Sequence, residues 1–207
     1  MAQPSSVVAP APRPVRKVGL STLVVAMIAG TIALEGGYVN NPADPGGETN
    51  MGVTKRVAVA NGYTGPMRTL PREIVNGIYF DRYIVEPGYL PLVAIDAPVT
   101  EEVFDTAVNM GPPKSSRFLQ ASINDICGAR LAVDGRVGPA TVDAYRACQT
   151  RRGASPLCLA MLDRLDGKQR AEYDRLVRAS DRYRIFYRGW IAKRIGNVDR
   201  RKCTVAA

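Results

Sequence analysis

Hydrophobic and polar positions divide the 207 residues into three regimes. Residues 18–34 (VGLSTLVVAMIAGTIAL) form one uncharged, mostly apolar run that stops at Glu35. Residues 35–54 (EGGYVNNPADPGGETNMGVT) have no period and hold five Gly and two Pro, which is turn chemistry. Pro45-Gly46-Gly47 is expected to reverse the chain between short strands at 38–40 and 49–53. Beyond this block, apolar residues recur every three or four positions, the spacing of amphipathic helices. Thr54 suits the N-cap of a helix running to about residue 60. A second helix is expected from Pro71, in its first turn, to about Tyr83, with Ile74, Ile78, Tyr79 and Tyr83 on one side. Residues 88–98 read as a linker. Further helices are expected over about 100–110, 114–127, 139–150, 155–165 and 168–195, broken at Gly111-Pro112-Pro113 and at the 134–139 turn. No internal repeat is visible. The pattern predicts a mainly α architecture, a helical bundle with one small β-hairpin.

The N-terminus adds an export signal to this picture. Residues 1–14 are rich in Pro, Ala and Ser and read as a disordered leader. Arg16 and Lys17 then precede the apolar run, the arrangement of a signal or anchor segment entering from the positive side. Its seventeen residues barely span a bilayer at about 1.5 Å each. Gly19, Ser21, Thr22, Gly30 and Thr31 dilute it, and no small-residue cleavage site follows. The same run also reads as a buried helix of the folded domain.

Composition narrows the chemistry. The net charge of +9 favours polyanionic partners, and residues 164–202 concentrate it, with thirteen Lys/Arg against five Asp/Glu. A basic–aromatic stripe or a recognisable nucleic-acid module is missing, so nucleic acid is not expected as a partner. The chain contains no histidine, which removes Ser-His-Asp and Cys-His nucleophiles and the commonest metal ligand. No metal or cofactor is expected. Proton transfer near neutral pH then falls to carboxyl groups, as in glycoside hydrolysis. Cys127, Cys148, Cys158 and Cys203 lack CxxC spacing, and an even count in an exported chain points to disulfides. Three pairings are compatible with the sequence.

Glu35 stands where the apolar helix should end, with Gly36-Gly37 as terminators. A carboxyl group at such an end is partly desolvated, which favours its protonated form and suits a general acid. Asp44 follows on the loop before the turn, and Thr49 begins the returning strand. A helix end facing a hairpin can hold two carboxyls on opposite walls of a cleft. Inverting glycosidases use such pairs about 6.5–9.5 Å apart, with a water between them. Asp105 and Asn109, four apart on one helix, read equally as cleft floor or as a buried brace. The Asp134-Gly135 turn with Leu119-Gln120 upstream reads equally as a recognition loop or a structural turn.

The block EGGYVNNPADPGGETNMGVT closely resembles the signature of the glycoside hydrolase 108 muramidases. That signature runs Glu-Gly-Gly-Tyr, Asn-x-Pro-x-Asp-x-Gly-Gly-x-Thr, then Gly-Val/Ile-Thr. The resemblance continues through LPREIVNGIYFDRY, FDTAVNMG at 104–111 and LQASINDICGARLAVDGRVGPATVDAYRAC at 119–148, and spans about 30–195. It implies an α+β lysozyme-like fold with the hairpin beside an active-site cleft. Position by position, it implies Glu35 as catalytic acid, with Asp44 and Thr49 completing a Glu–Asp–Thr set. One departure is Tyr83-Ile84, where the family commonly has Tyr-Trp; this puts an aromatic sugar platform there in doubt. The implied organisation is a leader (1–17), a signal-anchor or first helix (18–34), a catalytic region (35–95) and a helical peptidoglycan-binding-like region (96–207). The implied activity is hydrolysis of the β-1,4 bond between N-acetylmuramic acid and N-acetylglucosamine, by a phage-type endolysin in host cell lysis. Alternatives are a lytic transglycosylase and a bacterial muramidase that opens the wall for secretion. The expected partners are peptidoglycan and, before release, the inner membrane through residues 18–34. The enzyme is expected to be a monomer exported to the periplasm of a Gram-negative bacterium.

Overall fold

The computed structural model describes residues 21–40 and 47–205, which fall into two compact units meeting in sequence at Tyr79/Phe80. The leader at 1–17, the start of the apolar run and the Pro45-Gly46 turn lie outside the described residues.

In the first unit, helix α1 spans Thr22–Glu35. Ser21 caps it, accepting the Val24 amide at 3.3 Å. Val24, Met27, Ile28, Thr31 and Ile32 are buried, a stripe at three- and four-residue spacing. Gly36, at φ +83°, ends the helix where the sequence placed its terminator. No helix among the described residues is long and apolar enough to cross a membrane, and α1 has 14 residues. Strands β1 (Thr49–Asn50) and β2 (Val53–Thr54) pair antiparallel, Thr49 with Thr54 and Asn50 with Val53. This two-stranded hairpin turns at Met51-Gly52, while the turn expected at Pro45-Gly46 lies outside the described residues. The expected pairing with 38–40 survives as a single bridge, Val39 to Thr49. Helix α2 (Lys55–Ala60) is capped as predicted, Thr54 Oγ1 accepting the Val57 amide at 3.3 Å. Helix α3 (Arg72–Phe80) starts one residue after Pro71.

The second unit opens with a π-helical turn, Asp81–Val85, which replaces the last turn expected of the 71–83 helix. Residues 88–98 are not a linker. They hold helix α4 (Leu90–Ile95) and the start of α5 (Ala97–Met110). Pro91 and Pro98 sit in the first turns of these helices, where a missing N–H costs nothing. Asp96 links the two, its Oδ1 capping the Val99 amide at 3.2 Å. Gly111, at φ +88°, separates α5 from α6 (Pro112–Cys127), so Pro112 and Pro113 begin a helix instead of prolonging the break. Helix α7 covers Pro139–Arg152. Helix α8 (Ala154–Ala179) runs through the break expected at residues 166–167. Gly167 is exposed there, while Leu165, Asp166 and Gln169 on either side are buried and hold the helix together. Helices α9 (Arg184–Arg194) and α10 (Lys202–Val205) complete the unit.

Helix α5 lies at the centre, packed by α4, α6 and α8. Val99, Val103, Phe104 and Ala107 are fully buried, and so are Thr100, Glu102, Asp105 and Thr106. Two disulfides close the unit, Cys127–Cys148 from α6 to α7 and Cys158–Cys203 from α8 to α10. No cysteine is free.

Candidate active site

The predicted catalytic residues belong to the first unit. Glu35 is the last residue of α1, and its side chain lies outside the described residues, as does Asp44. Thr49 is half-buried on β1. Its backbone exchanges two 2.8 Å hydrogen bonds with Val39, four residues beyond Glu35, and its Oγ1 donates to the Gly47 carbonyl at 3.2 Å. Four residues of chain reach at most about 14 Å, so the bridge keeps Thr49 near the end of α1.

The frame around Thr49 is fixed from several sides. Met51 (φ +50°) and Gly52 (φ +73°) give the hairpin two positive-φ centres, as a type I′ turn needs. A methionine rarely adopts this conformation. Here the Tyr79 hydroxyl donates to its carbonyl at 3.1 Å. On the neighbouring strand position, buried Asn50 donates from Nδ2 to the Met67 carbonyl at 2.7 Å.

A carboxylate not singled out from the sequence, Glu48, is built into this frame. It accepts from the Tyr38 hydroxyl at 2.8 Å and pairs with Lys55 at 3.3 Å. Arg68 lies over the Tyr38 ring, 4.1 Å from its centroid. The Tyr38 hydrogen bond, helped by Lys55 and Arg68, holds the Glu48 carboxyl below its ordinary range, and the same bond pushes the Tyr38 phenol up. The signal for this pair is the register. With Val39 opposite Thr49, Tyr38 stands opposite Asn50 and diagonal to Glu48 on the same face. Glu48 thus stays ionised and serves as an anchor, whereas an acid catalyst must hold its proton.

The other candidates fall in the second unit. Asp105 is buried in an ion pair with Arg194 at 2.6 Å and accepts from Asn197 at 3.1 Å. Asn109 accepts from the Tyr173 hydroxyl at 2.8 Å. Both are braces of α5 and not a cleft floor. Gln120, also buried, donates to Asp134 Oδ1 and to the Arg136 carbonyl and accepts the Gly135 amide at 3.0 Å. Its amide group shapes the 134–136 turn from within. Ile84 is fully buried, so the position where a tryptophan was awaited turns inward. Among the described residues, no group of three or more acidic or cysteine side chains gathers to hold a metal.

Residues 28–111 match the sequence model of Glycosyl hydrolase 108, and residues 114–195 match that of a Predicted Peptidoglycan domain. No curated protein matches the chain. Among solved structures, the chain is similar to Brucella abortus SagA, with a TM-score of 0.61 and 23% sequence identity. The similarity covers 87% of this chain and 93% of that one, and it establishes a shared fold.

Proposed function

Residues 28–111 carry the glycosyl hydrolase 108 domain, and on that premise we propose that the chain is a muramidase that works through Glu35, Asp44 and Thr49. It is a glycoside hydrolase of peptidoglycan. The reading adds the bond, the β-1,4 link from N-acetylmuramic acid to N-acetylglucosamine, and the roles. Glu35 protonates the leaving oxygen, Asp44 supplies the second carboxylate, and Thr49 orients a water. The observation that supports it is the frame just described: α1 ends at Glu35, and the Val39–Thr49 bridge returns the hairpin within four residues. Asp44 lies five positions from each end of the segment which that bridge closes. On this reading residues 35–95 are the catalytic region and residues 96–207 the wall-binding region; the first lies within one matched segment and the second contains the other.

Glu35→Gln is expected to keep the fold and lose nearly all release of reducing sugar from purified walls, because an amide has no proton to give. Wall cleavage by Glu35→Gln at near the wild-type rate would refute the assignment. Anhydro sugars among the products would make the enzyme a lytic transglycosylase instead.

The reading also includes export to the periplasm, with residues 18–34 holding the chain at the inner membrane until α1 joins the folded domain. Gly30→Leu tests this at an exposed position where an added side chain meets nothing within 4 Å. More protein in the membrane fraction and slower lysis are expected; an unchanged distribution would defeat the tether. In the cell we place the activity in host cell lysis. Periplasmic expression should clear a Gram-negative culture, whereas wall cleavage without clearing would favour a secretion role.

A further inference from the structure

A groove of about 410 Å³ opens in the second unit, where the segment matched to the hydrolase family meets the one matched to the peptidoglycan domain. One wall is the turn after the π-helical segment, with Arg82, Glu86 and Gly88. The other is made by the start of α6 and the 135–137 turn, with Pro113 and Arg136.

The walls are fixed in place. A Cβ on Gly88 would lie 2.0 Å from the Val137 carbonyl oxygen, and one on Gly135 would lie 2.8 Å from that of Pro113. Both glycines have positive φ, so backbone meets backbone across the groove with no room for a side chain. Tyr89 is buried beneath it, and its hydroxyl donates to the Pro112 carbonyl at 3.1 Å and bonds Ser116 at 2.8 Å. Buried Gln120 holds the opposite turn from Asp134 to Arg136.

The charge in this fixed groove is mostly positive. Arg82 and Arg136 line it, and the Arg117 guanidinium lies 3.4 Å from where a Gly135 Cβ would be. All three are exposed, and none has an ion pair among the described residues. Arg82 rests against the Tyr83 ring, 5.5 Å from its centroid. The acids nearby are Glu86 on the lining and Asp134, whose Oδ1 is already taken by Gln120 and the Arg136 amide. The N-terminus of α6 adds the positive end of a sixteen-residue helix. A guanidinium fork matches a carboxylate with two parallel bonds.

We propose that this groove binds a free carboxylate of the peptide stems of peptidoglycan, with Arg82 and Arg136 as its two cationic walls. The proposal rests on the wall-degrading reading above, because it takes the substrate from there. Within that polymer the sugar rings are neutral and the negative charge lies on the free carboxylates of the peptide stems. The groove would therefore read the stem while the hairpin region addresses the glycan.

The full chain is titrated with a synthetic stem tripeptide bearing free carboxylates, and with the same peptide fully amidated, following amide chemical shifts of residues 82–88 and 134–137. Shifts with the acid form and binding about tenfold weaker for the amide are expected. Arg82→Ala and Arg136→Ala should each weaken the acid form by about tenfold, with Arg136→Lys intermediate, while melting temperatures stay at the wild-type value. Equal binding of both peptides, or wild-type binding by the alanine variants, would overturn the proposal. So would arginine-dependent binding to phosphatidylglycerol vesicles without peptide binding, which would make the groove a lipid headgroup site. Wall cleavage is assayed in parallel with Glu35→Gln as its control. Intact cleavage without peptide binding sinks the groove alone, and peptide binding without cleavage sinks the muramidase reading alone.

Discussion

Reducing the two disulfides offers a quantitative test of how the second unit is held together. Their bridges span 21 and 45 residues and do not overlap in sequence, so each closes its own loop in the unfolded chain. Loop-closure entropy assigns about 3.3 kcal/mol to Cys127–Cys148 and about 4 kcal/mol to Cys158–Cys203. The difference, about 0.7 kcal/mol, follows from the ratio of loop lengths alone. Their sum, about 7 kcal/mol, rivals the whole stability of an ordinary domain, roughly 5–15 kcal/mol. Urea unfolding of wild type with and without dithiothreitol measures the sum on identical side-chain atoms, and Cys→Ala pairs separate the two contributions. The longer loop should cost more, and the reduced protein should be marginal at 37 °C. If the Cys127–Cys148 pair costs clearly more, or if reduction moves the midpoint by less than the equivalent of about 2 kcal/mol, loop entropy is not the main term. The same figures bear on compartment, because a reducing cytosol would leave the chain without this contribution.

Two further outcomes follow from the packing. Gly88→Ala combines a positive φ with a 2.0 Å approach to a backbone oxygen, and should cost roughly 2–5 kcal/mol. Calorimetry should show Tm falling by about 5–15 °C, and a shift under one degree would contradict the geometry. Glu102 is fully buried, accepts from Gln169, and its Oε2 has no hydrogen-bond partner among the described residues. Burial first, then Asp166 and Asp105, push its carboxyl up, against the pull of Arg200. The stability it contributes is full at acid pH and is lost as pH rises from the ordinary glutamate range towards its raised value. Glu102→Gln should therefore flatten the alkaline side of the stability profile above about pH 5; an unchanged profile would show that Glu102 is not the group responsible.

Local signals carried much of the fold. Gly36, Gly111, Gly128 and Gly153 follow helix ends with positive φ, and Ser21 and Thr54 cap the starts of α1 and α2. The misread segments are those where a local rule meets a tertiary partner. Pro91 and Pro98 read as breakers until the helices they open are seen. The Met51-Gly52 turn lacks an Asn-Gly signature and depends on Tyr79, 28 residues away. Thr49 was placed correctly on its returning strand, whereas Glu48 became visible only once the Val39–Thr49 register was known. Disulfide pairing was equally out of reach, since it depends on how α6, α7, α8 and α10 lie together.

The last residue of α9 and the stretch that follows it form a fastening that their composition does not suggest. It is the latch of the second unit. Arg194 and Asn197 grip Asp105, the Gly196 amide and Arg200 grip Asp166, Lys202 reaches Glu101, and Cys203 is tied to Cys158. The peptidoglycan match ends at residue 195, so trimming the chain to that boundary would strip most of these fastenings. Asp105 would keep one partner, and Asp166, nine-tenths buried, would lose those named here. Residues 196–203 are thus fastenings of the fold, and truncation studies of this enzyme should spare them even though they lie beyond the family match.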